Sequence, residues 1–315
     1  MNDLKESQVR LSVCIPVYNG ARTIAPLVEA VRSACAEYEL EVVLVDDGSA
    51  DDSARVCMEL AETKDFVTAI SLRRNFGEHN AVMCALAHCT GDYAAIIDDD
   101  FQNPPEEIEK LLVEARRGFD VVYAKYRSKK HSPFRNLGSK FNDRMATALL
   151  RKPKDLYLCS FKVIARPVID EIVKYTGPFP YIDGLILRVT DSISSVYVEH
   201  KAREDGHSNY TIGKLVALWL NMFVNFSIRP MRAISLVGMA TSVASFLVGI
   251  VFFIERLRNP NIPAGWASLA ILVLFIGGIQ TMSMGIIGEY IGKNYLDRNG
   301  TPQWVIRRKK NCSRR

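Results

Sequence analysis

Over its first 125 positions the chain sets short apolar runs between stretches of helical spacing. Residues 11–17 form one run, closed by Tyr18, Asn19 and Gly20; residues 41–45 form another, closed by Asp46, Asp47, Gly48 and Ser49. Residues 67–72, 93–97 and 120–124 repeat the pattern. Between the runs apolar residues recur every three or four positions, as at Ile24, Leu27, Val28 and Val31, which predicts helices over about 21–38, 51–62, 78–89 and 106–117. Strands alternating with helices predict an α/β fold with a parallel sheet covered on both faces. In such sheets ligands lie beyond the carboxyl ends of the strands, so the polar residues that close the runs should meet in one crevice.

Residues 96–105 read Ile-Ile-Asp-Asp-Asp-Phe-Gln-Asn-Pro-Pro. Three carboxylates at a strand end repel one another unless a cation or solvent relieves them. Hard divalent cations take oxygen ligands, and alternate residues of an extended segment share a face. Asp98, Asp100 and Gln102 are thereby predicted to converge on one ion while Asp99 points elsewhere. A solvated acidic turn with a helix cap behind it is the other reading of the same residues. Pro104 and Pro105 end the strand, and Glu106 and Glu107 suit the first turn of a helix. The crevice also receives Asp46 and Asp47, which suit a ribose hydroxyl or base N–H, and Arg73 and Arg74, which can reach phosphate. Neither a Gly-x-Gly-x-x-Gly turn nor a Gly-Lys-Ser/Thr loop is present, so a diphosphate here would be held by metal and arginine.

The second half is more apolar. Residues 233–254 are uncharged and, as a helix, about 33 Å long, enough to cross a bilayer; residues 267–288 repeat this. Ahead of them, 212–226 is amphipathic with Trp219, Met222, Phe223 and Phe226, reading as an interfacial helix or else a core one. Residues 125–154 combine ten Lys/Arg with a greasy face of Phe134, Leu137, Phe141, Met145, Leu149 and Leu150, which reads as membrane-facing or as a solvated basic helix. The connection 255–265 is less basic than either flank, so the positive-inside rule puts both ends in the cytosol. Gly277, Gly278, Gly285, Gly288 and Gly292 offer close helix contact, either within the hairpin or in a homo-oligomer.

The formal charge is +5 over 315 residues, concentrated in the two tracts beside the apolar runs, which favours anionic membrane lipid over nucleic acid as the partner. Seven cysteines without a Cys-x-x-Cys spacing read as reduced core residues. The polar first ten residues show no secretory signal. The expected organisation is a catalytic domain over 1–205, a loop and interfacial helix over 206–232, two spans within 233–290 and a basic cytosolic tail over 291–315.

Pro16-Val17-Tyr18-Asn19, Val45-Asp46-Asp47-Gly48-Ser49 and Asp98-x-Asp100-Phe-Gln102-Asn-Pro-Pro105 resemble the family 2 glycosyltransferases, and among them the polyprenyl-phosphate subgroup. The resemblance spans essentially the whole chain. It implies a GT-A type, Rossmann-like nucleotide-sugar-binding domain, Mg2+ or Mn2+ on Asp98, Asp100 and Gln102, and a nucleotide contacted by Pro16, Tyr18, Asp46, Asp47, Asp98 and Asp99. It further implies that Arg135, with Arg127 a weaker match, binds the acceptor phosphate. Arg203 would bridge donor and acceptor phosphates from a loop carrying Gly206, Ser208 and Asn209. Several positions depart from the family pattern. Gly20 stands where Glu is usual and Asn209 where Lys is usual, and Leu156, Tyr157, Leu158 and Lys162 replace an Asp-x-Gly motif with a nearby Arg.

The activity implied is inverting transfer of a sugar from a nucleotide-diphosphate sugar to a polyprenyl phosphate at a bacterial inner membrane. A phosphate monoester is largely ionised at neutral pH and needs no strong base, so Asp183 is only a reserve base should the acceptor be a hydroxyl. The alternatives are a transferase acting on a hydroxyl in polysaccharide synthesis and a non-catalytic scaffold of a lipid-sugar flippase. Two apolar runs are too few for an export channel, no Gln-x-x-Arg-Trp motif is present, and the full Asp98, Asp100 and Gln102 set argues for turnover.

Overall fold

The computed structural model describes residues 9–126, 156–199 and 265–311, with scattered positions between 236 and 258. Arg127, Arg135, Arg203, Gly206, Ser208 and Asn209 lie outside the described residues. So do most of the basic tract 125–154 and all of the amphipathic run 212–226.

The described chain runs β1 (Arg10–Val17), α1 (Ile24–Ala34), β2 (Glu39–Asp46), α2 (Ser53–Thr63), β3 (Val67–Leu72), α3 (Glu78–His88) and β4 (Tyr93–Ile96). A 3-10 turn (Pro105–Glu107) then leads into α4 (Ile108–Ala115) and β5 (Val121–Tyr126). After the gap come β6 (Lys162–Ala165), α5 (Arg166–Ile172), α6 (Ile182–Val189), β7 (Ile193–Val198), α7 (Trp266–Arg298) and β8 (Ile306–Lys310). The first five strands and four helices fall where the apolar pattern puts them.

All eight strands form one sheet, in the order β7-β5-β6-β4-β1-β2-β3-β8. The parallel sheet expected from the sequence is corrected to a mixed one. β1, β2, β3 and β4 pair in parallel, but β6 runs antiparallel between β4 and β5, and β8 runs antiparallel along β3. β1 and β2 are buried almost end to end, as expected of strands covered on both faces. α1 buries Ile24, Leu27, Val28 and Val31, and α4 buries Ile108, Leu111, Leu112 and Ala115, one stripe each. Together with Val13, Ile15, Leu44, Ala69 and Ile97 these stripes form the main core.

The chain divides into two compact units, Met1–Asn209 with Gly300–Arg315, and Tyr210–Asn299. The end of the expected basic tail is therefore part of the sheet-bearing unit. β8 reads Ile-Arg-Arg-Lys-Lys and is held by ladder hydrogen bonds to β3, which need no apolar side chains; its cations protect an exposed edge.

Two strand-end loops are packed against each other at Gly48. Its φ is +65°, and a Cβ there would lie 2.6 Å from the Asn75 nitrogen and 2.8 Å from the Arg74 oxygen. Both the left-handed backbone and the missing side chain are required. Gly48→Ala is expected to cost about 1–3 kcal/mol, seen as a lower midpoint in chemical denaturation; an unchanged midpoint would show that the two loops are not in contact.

Candidate functional site

The crevice lies past the ends of β1, β2, β3 and β4, and hydrogen bonds between neighbouring loops shape it. After β1, Asn19 adopts φ 57° and its Oδ1 accepts the Ala50 N–H at 2.9 Å. The Asn19 N–H donates to Ser49 Oγ at 3.0 Å and the Gly20 N–H to Ser53 Oγ at 2.9 Å. The β1 and β2 loops thus form one wall, with Tyr18 exposed on it and Pro16 buried inside β1, opposite Val45.

Asp46 and Asp47 are buried, and their oxygens are engaged by protein. Asp46 accepts the Ser49 N–H at 3.0 Å and the Ser71 hydroxyl at 2.8 Å. Asp47 accepts the Phe76 and Gly77 N–H groups at 2.7 and 2.8 Å and so holds the loop that leads into α3. Burial raises the Asp47 pKa, and the two N–H bonds only partly offset that. In this arrangement the pair fixes the turn 46–49 and the loop 73–77.

The acidic triplet leaves β4 in a turn instead of continuing extended. Phe101 has φ 57°, and Asp100 Oδ1 accepts the Gln102 N–H at 3.1 Å. The alternation argument that put Asp98, Asp100 and Gln102 on one face therefore fails locally, because a turn stabilised by its own carboxylate replaces the strand. Asp99 does point apart from Asp98, accepting the Tyr18 N–H at 3.1 Å. Asp98 accepts the Ser160 hydroxyl at 2.6 Å and lies 3.5 Å from Asn103 Nδ2. A Cβ at Gly20 would meet the Asp99 carboxylate, a side chain that would have to turn aside.

Among the described residues no group of three His, Cys, Asp or Glu side chains gathers as a metal site. Asp98 and Asp100, each partly exposed, remain hard oxygen donors at the crevice. Mg2+ of this kind is commonly held by one or two carboxylates together with substrate phosphates and water, so the residues present fit an ion that arrives with a diphosphate.

Sequence reasoning missed a second cluster at the same end of the sheet. Lys162 on β6 forms a buried ion pair with Asp183 on α6, and the Tyr123 hydroxyl donates to the same carboxylate oxygen at 2.9 Å. Asp183, the reserve base, is committed to that pair. Burial, then the Asp183 charge, pushes the Tyr123 hydroxyl well above its ordinary range. His79 meets the Tyr181 ring edge-on at 5.3 Å, and burial lowers its pKa, keeping the imidazole neutral. The Glu78 side chain is exposed at the surface, yet its pKa is raised to about 7, first by desolvation and then by the Asp98 charge. Lys162 and Asp183 both stood out in the sequence, one as a departure from a motif and one as a reserve base, but nothing in it pairs them.

Fold and site together define an α/β protein of the GT-A-like class, with a cluster of carboxylates at the strand ends. The sequence profile described as Glycosyl transferase family 2 matches residues 12–173, and the chain belongs to that family. It is 35% identical over 308 residues to the undecaprenyl-phosphate 4-deoxy-4-formamido-L-arabinose transferase of Proteus mirabilis, covering 95% of this chain and 93% of the relative. It is 34% identical to that of Klebsiella pneumoniae and 33% to that of Pseudomonas fluorescens, over 95% and 94% of this chain and 93% and 89% of those relatives. Among solved structures, glucosyl-3-phosphoglycerate synthase from Mycobacterium tuberculosis, in complex with Mn2+, UDP and phosphoglyceric acid, superposes with a TM-score of 0.50 at 19% identity. That match covers 67% of this chain and 74% of the synthase and concerns the fold.

Two predictions follow from the second cluster. Lys162→Ala leaves Asp183 buried without its cation and is expected to destabilise by about 3–5 kcal/mol; adding Asp183→Leu should restore part of the loss in denaturation, and a further equal loss would contradict the pairing. For Glu78, the folded pKa of about 7 lies above the ordinary 4.5, so the folded form binds the proton more tightly. Its contribution to stability is full below about 4.5 and is lost as pH rises through about 7. Without added divalent ions, Glu78→Gln should match wild type at low pH and be the more stable at pH about 8; denaturation curves that stay parallel across pH would rule this out.

Proposed function

We propose that this protein transfers a sugar of the 4-deoxy-4-formamido-L-arabinose type from a nucleotide-diphosphate donor to undecaprenyl phosphate at a membrane surface. The observation that carries this is the near full-length similarity to transferases named for that reaction, together with an acidic crevice at the ends of β1, β2 and β4.

The chain's own residues have separable tasks. Asp46, Asp47 and Asn19 hold the loops that receive the nucleoside, and Tyr18 offers an exposed ring beside it. Asp98 and Asp100 would hold Mg2+ or Mn2+, which when bound neutralises the diphosphate as it leaves. Arg135 and Arg203, as the family resemblance implies, bring in the acceptor phosphate and bridge it to the donor, since a guanidinium bonds two anionic oxygens at once. The acceptor is already ionised at neutral pH, so the reaction requires charge screening and alignment more than a base.

The same reading puts the apolar runs in the membrane. Counted over the described residues alone, no helix is long and apolar enough to cross a membrane. Several apolar positions of α7 and most of the first run fall outside that count, whereas the sequence 267–288 within α7 has no charged residue. α7 also exposes Leu272, Val273, Phe275, Met282 and Met284, positions that no single helix face can hold. Topology adds a constraint. β7 and β8 belong to one sheet, so the chain between them leaves and returns on the same side. This supports an even number of crossings in between, as in a two-span hairpin with a cytosolic catalytic unit.

The test is incubation of the purified protein with labelled nucleotide sugar, undecaprenyl phosphate and Mn2+ or Mg2+. Label that enters the lipid fraction and is released by mild acid is expected, with Asp100→Ala lowering transfer by at least about a hundredfold while the protein stays folded. Label in polymer, or full turnover by the variant, would overturn the reading.

A further inference from the structure

The segment that follows α7 contains no expected site residue, yet it is bonded to two walls of the crevice. α7 ends at Arg298, and Gly300 turns the chain with φ +66°. Gln303 is then 7% exposed, and its Nε2 donates to the Gly177 carbonyl at 3.0 Å. Two residues later the Val305 carbonyl accepts the Arg73 N–H at 2.9 Å, after which β8 pairs along β3.

Gly177 opens the stretch that leads to Tyr181 and Asp183, and this stretch depends on donors from outside itself. Residues 175–181 lie outside regular secondary structure, and Pro178 and Pro180 supply no N–H. The carbonyls of Gly177, Pro178 and Phe179 accept from the side chains of Gln303, Asn80 and Tyr175 in turn. Asn80 also donates to the Phe76 carbonyl at 2.6 Å, and His79 packs on Tyr181, so the wall 177–183 is tied to the first turn of α3. A buried side-chain amide is costly unless its hydrogen bonds are made, so a residue serving only as packing here would be better apolar.

We propose that Gln303 is a positioning residue for the donor end of the reaction, holding the wall of Tyr181 and Asp183 against the loop 73–77. This rests on the glycosyltransferase reading above and adds to it a role for a residue outside the family match at 12–173. Loss of the Gln303 contact thereby disturbs sugar-nucleotide binding, not lipid binding.

The experiment compares Gln303→Glu, which keeps the shape and removes the N–H donors, and Gln303→Ala with wild type. Donor KM, acceptor KM and the unfolding midpoint are measured for each. The expected result is a donor KM raised about fivefold, the size of one lost hydrogen bond, with acceptor KM near wild type and a lowered midpoint in both variants, because the buried Gly177 carbonyl loses its donor. An unchanged donor KM overturns the role, as does a rise in donor and acceptor KM by the same factor, the mark of simple packing. Gln303→Ala decides if Gln303→Glu does not fold. A wild-type protein that transfers no sugar overturns the functional reading instead, so the two failures are distinguishable.

Discussion

Carboxylates at the strand ends are held by the amides of neighbouring loops, and the shape of the crevice depends on those bonds. Asp46 takes the Ser49 N–H, Asp47 those of Phe76 and Gly77, Asp99 that of Tyr18 and Asp100 that of Gln102. Two carboxylates 4 Å apart near a protein surface repel by about 4 kcal/mol, while a hydrogen bond to a charged group contributes about 1.5–3 kcal/mol. Two such bonds on one carboxylate, as at Asp47, offset much of the repulsion from a like-charged neighbour, while burial still holds its pKa up. The acids can then remain close together as one cluster before any ligand arrives.

This arrangement divides the acids by task. Asp46 and Asp47 are buried and fix loops, whereas Asp98 and Asp100 are partly exposed at the crevice. Ser160 connects Asp98 to the strand that carries Lys162, and Lys162 joins Asp183 and Tyr123. The acidic turn and the wall beyond it are therefore linked through side chains of β5, β6 and α6, elements that bring no residue of the acidic motif. A change at Lys162 is expected to be felt at Asp98 even though the two do not bond directly.

The apolar pattern was sufficient for the elements up to β5, because each buries a continuous run or one helical stripe. It did not show β6, where a buried lysine interrupts the run, nor β7, whose serines sit near the sheet margin, nor β8, which is held by backbone bonds alone. Pairing of edge strands leaves little trace in side-chain pattern, so the mixed character of the sheet was not legible. The acidic motif was legible as chemistry but not as conformation. Phe101 at positive φ turns the chain where alternation assumed an extended strand. Asp183 was weighed as a base from its residue type, and its ion pair with Lys162, 21 positions away in sequence, gives it a structural task.

The central claim is that Asp98 and Asp100 bind a nucleotide diphosphate through a divalent ion. Calorimetric titration of the purified protein with UDP, GDP and dTDP, with and without Mn2+, tests it most directly. The account predicts that at least one nucleotide binds with Mn2+ present, and that chelation or Asp98→Asn weakens it at least about tenfold, or about 1.4 kcal/mol. Nucleotide binding that is equally tight without the ion and in the variant would contradict it.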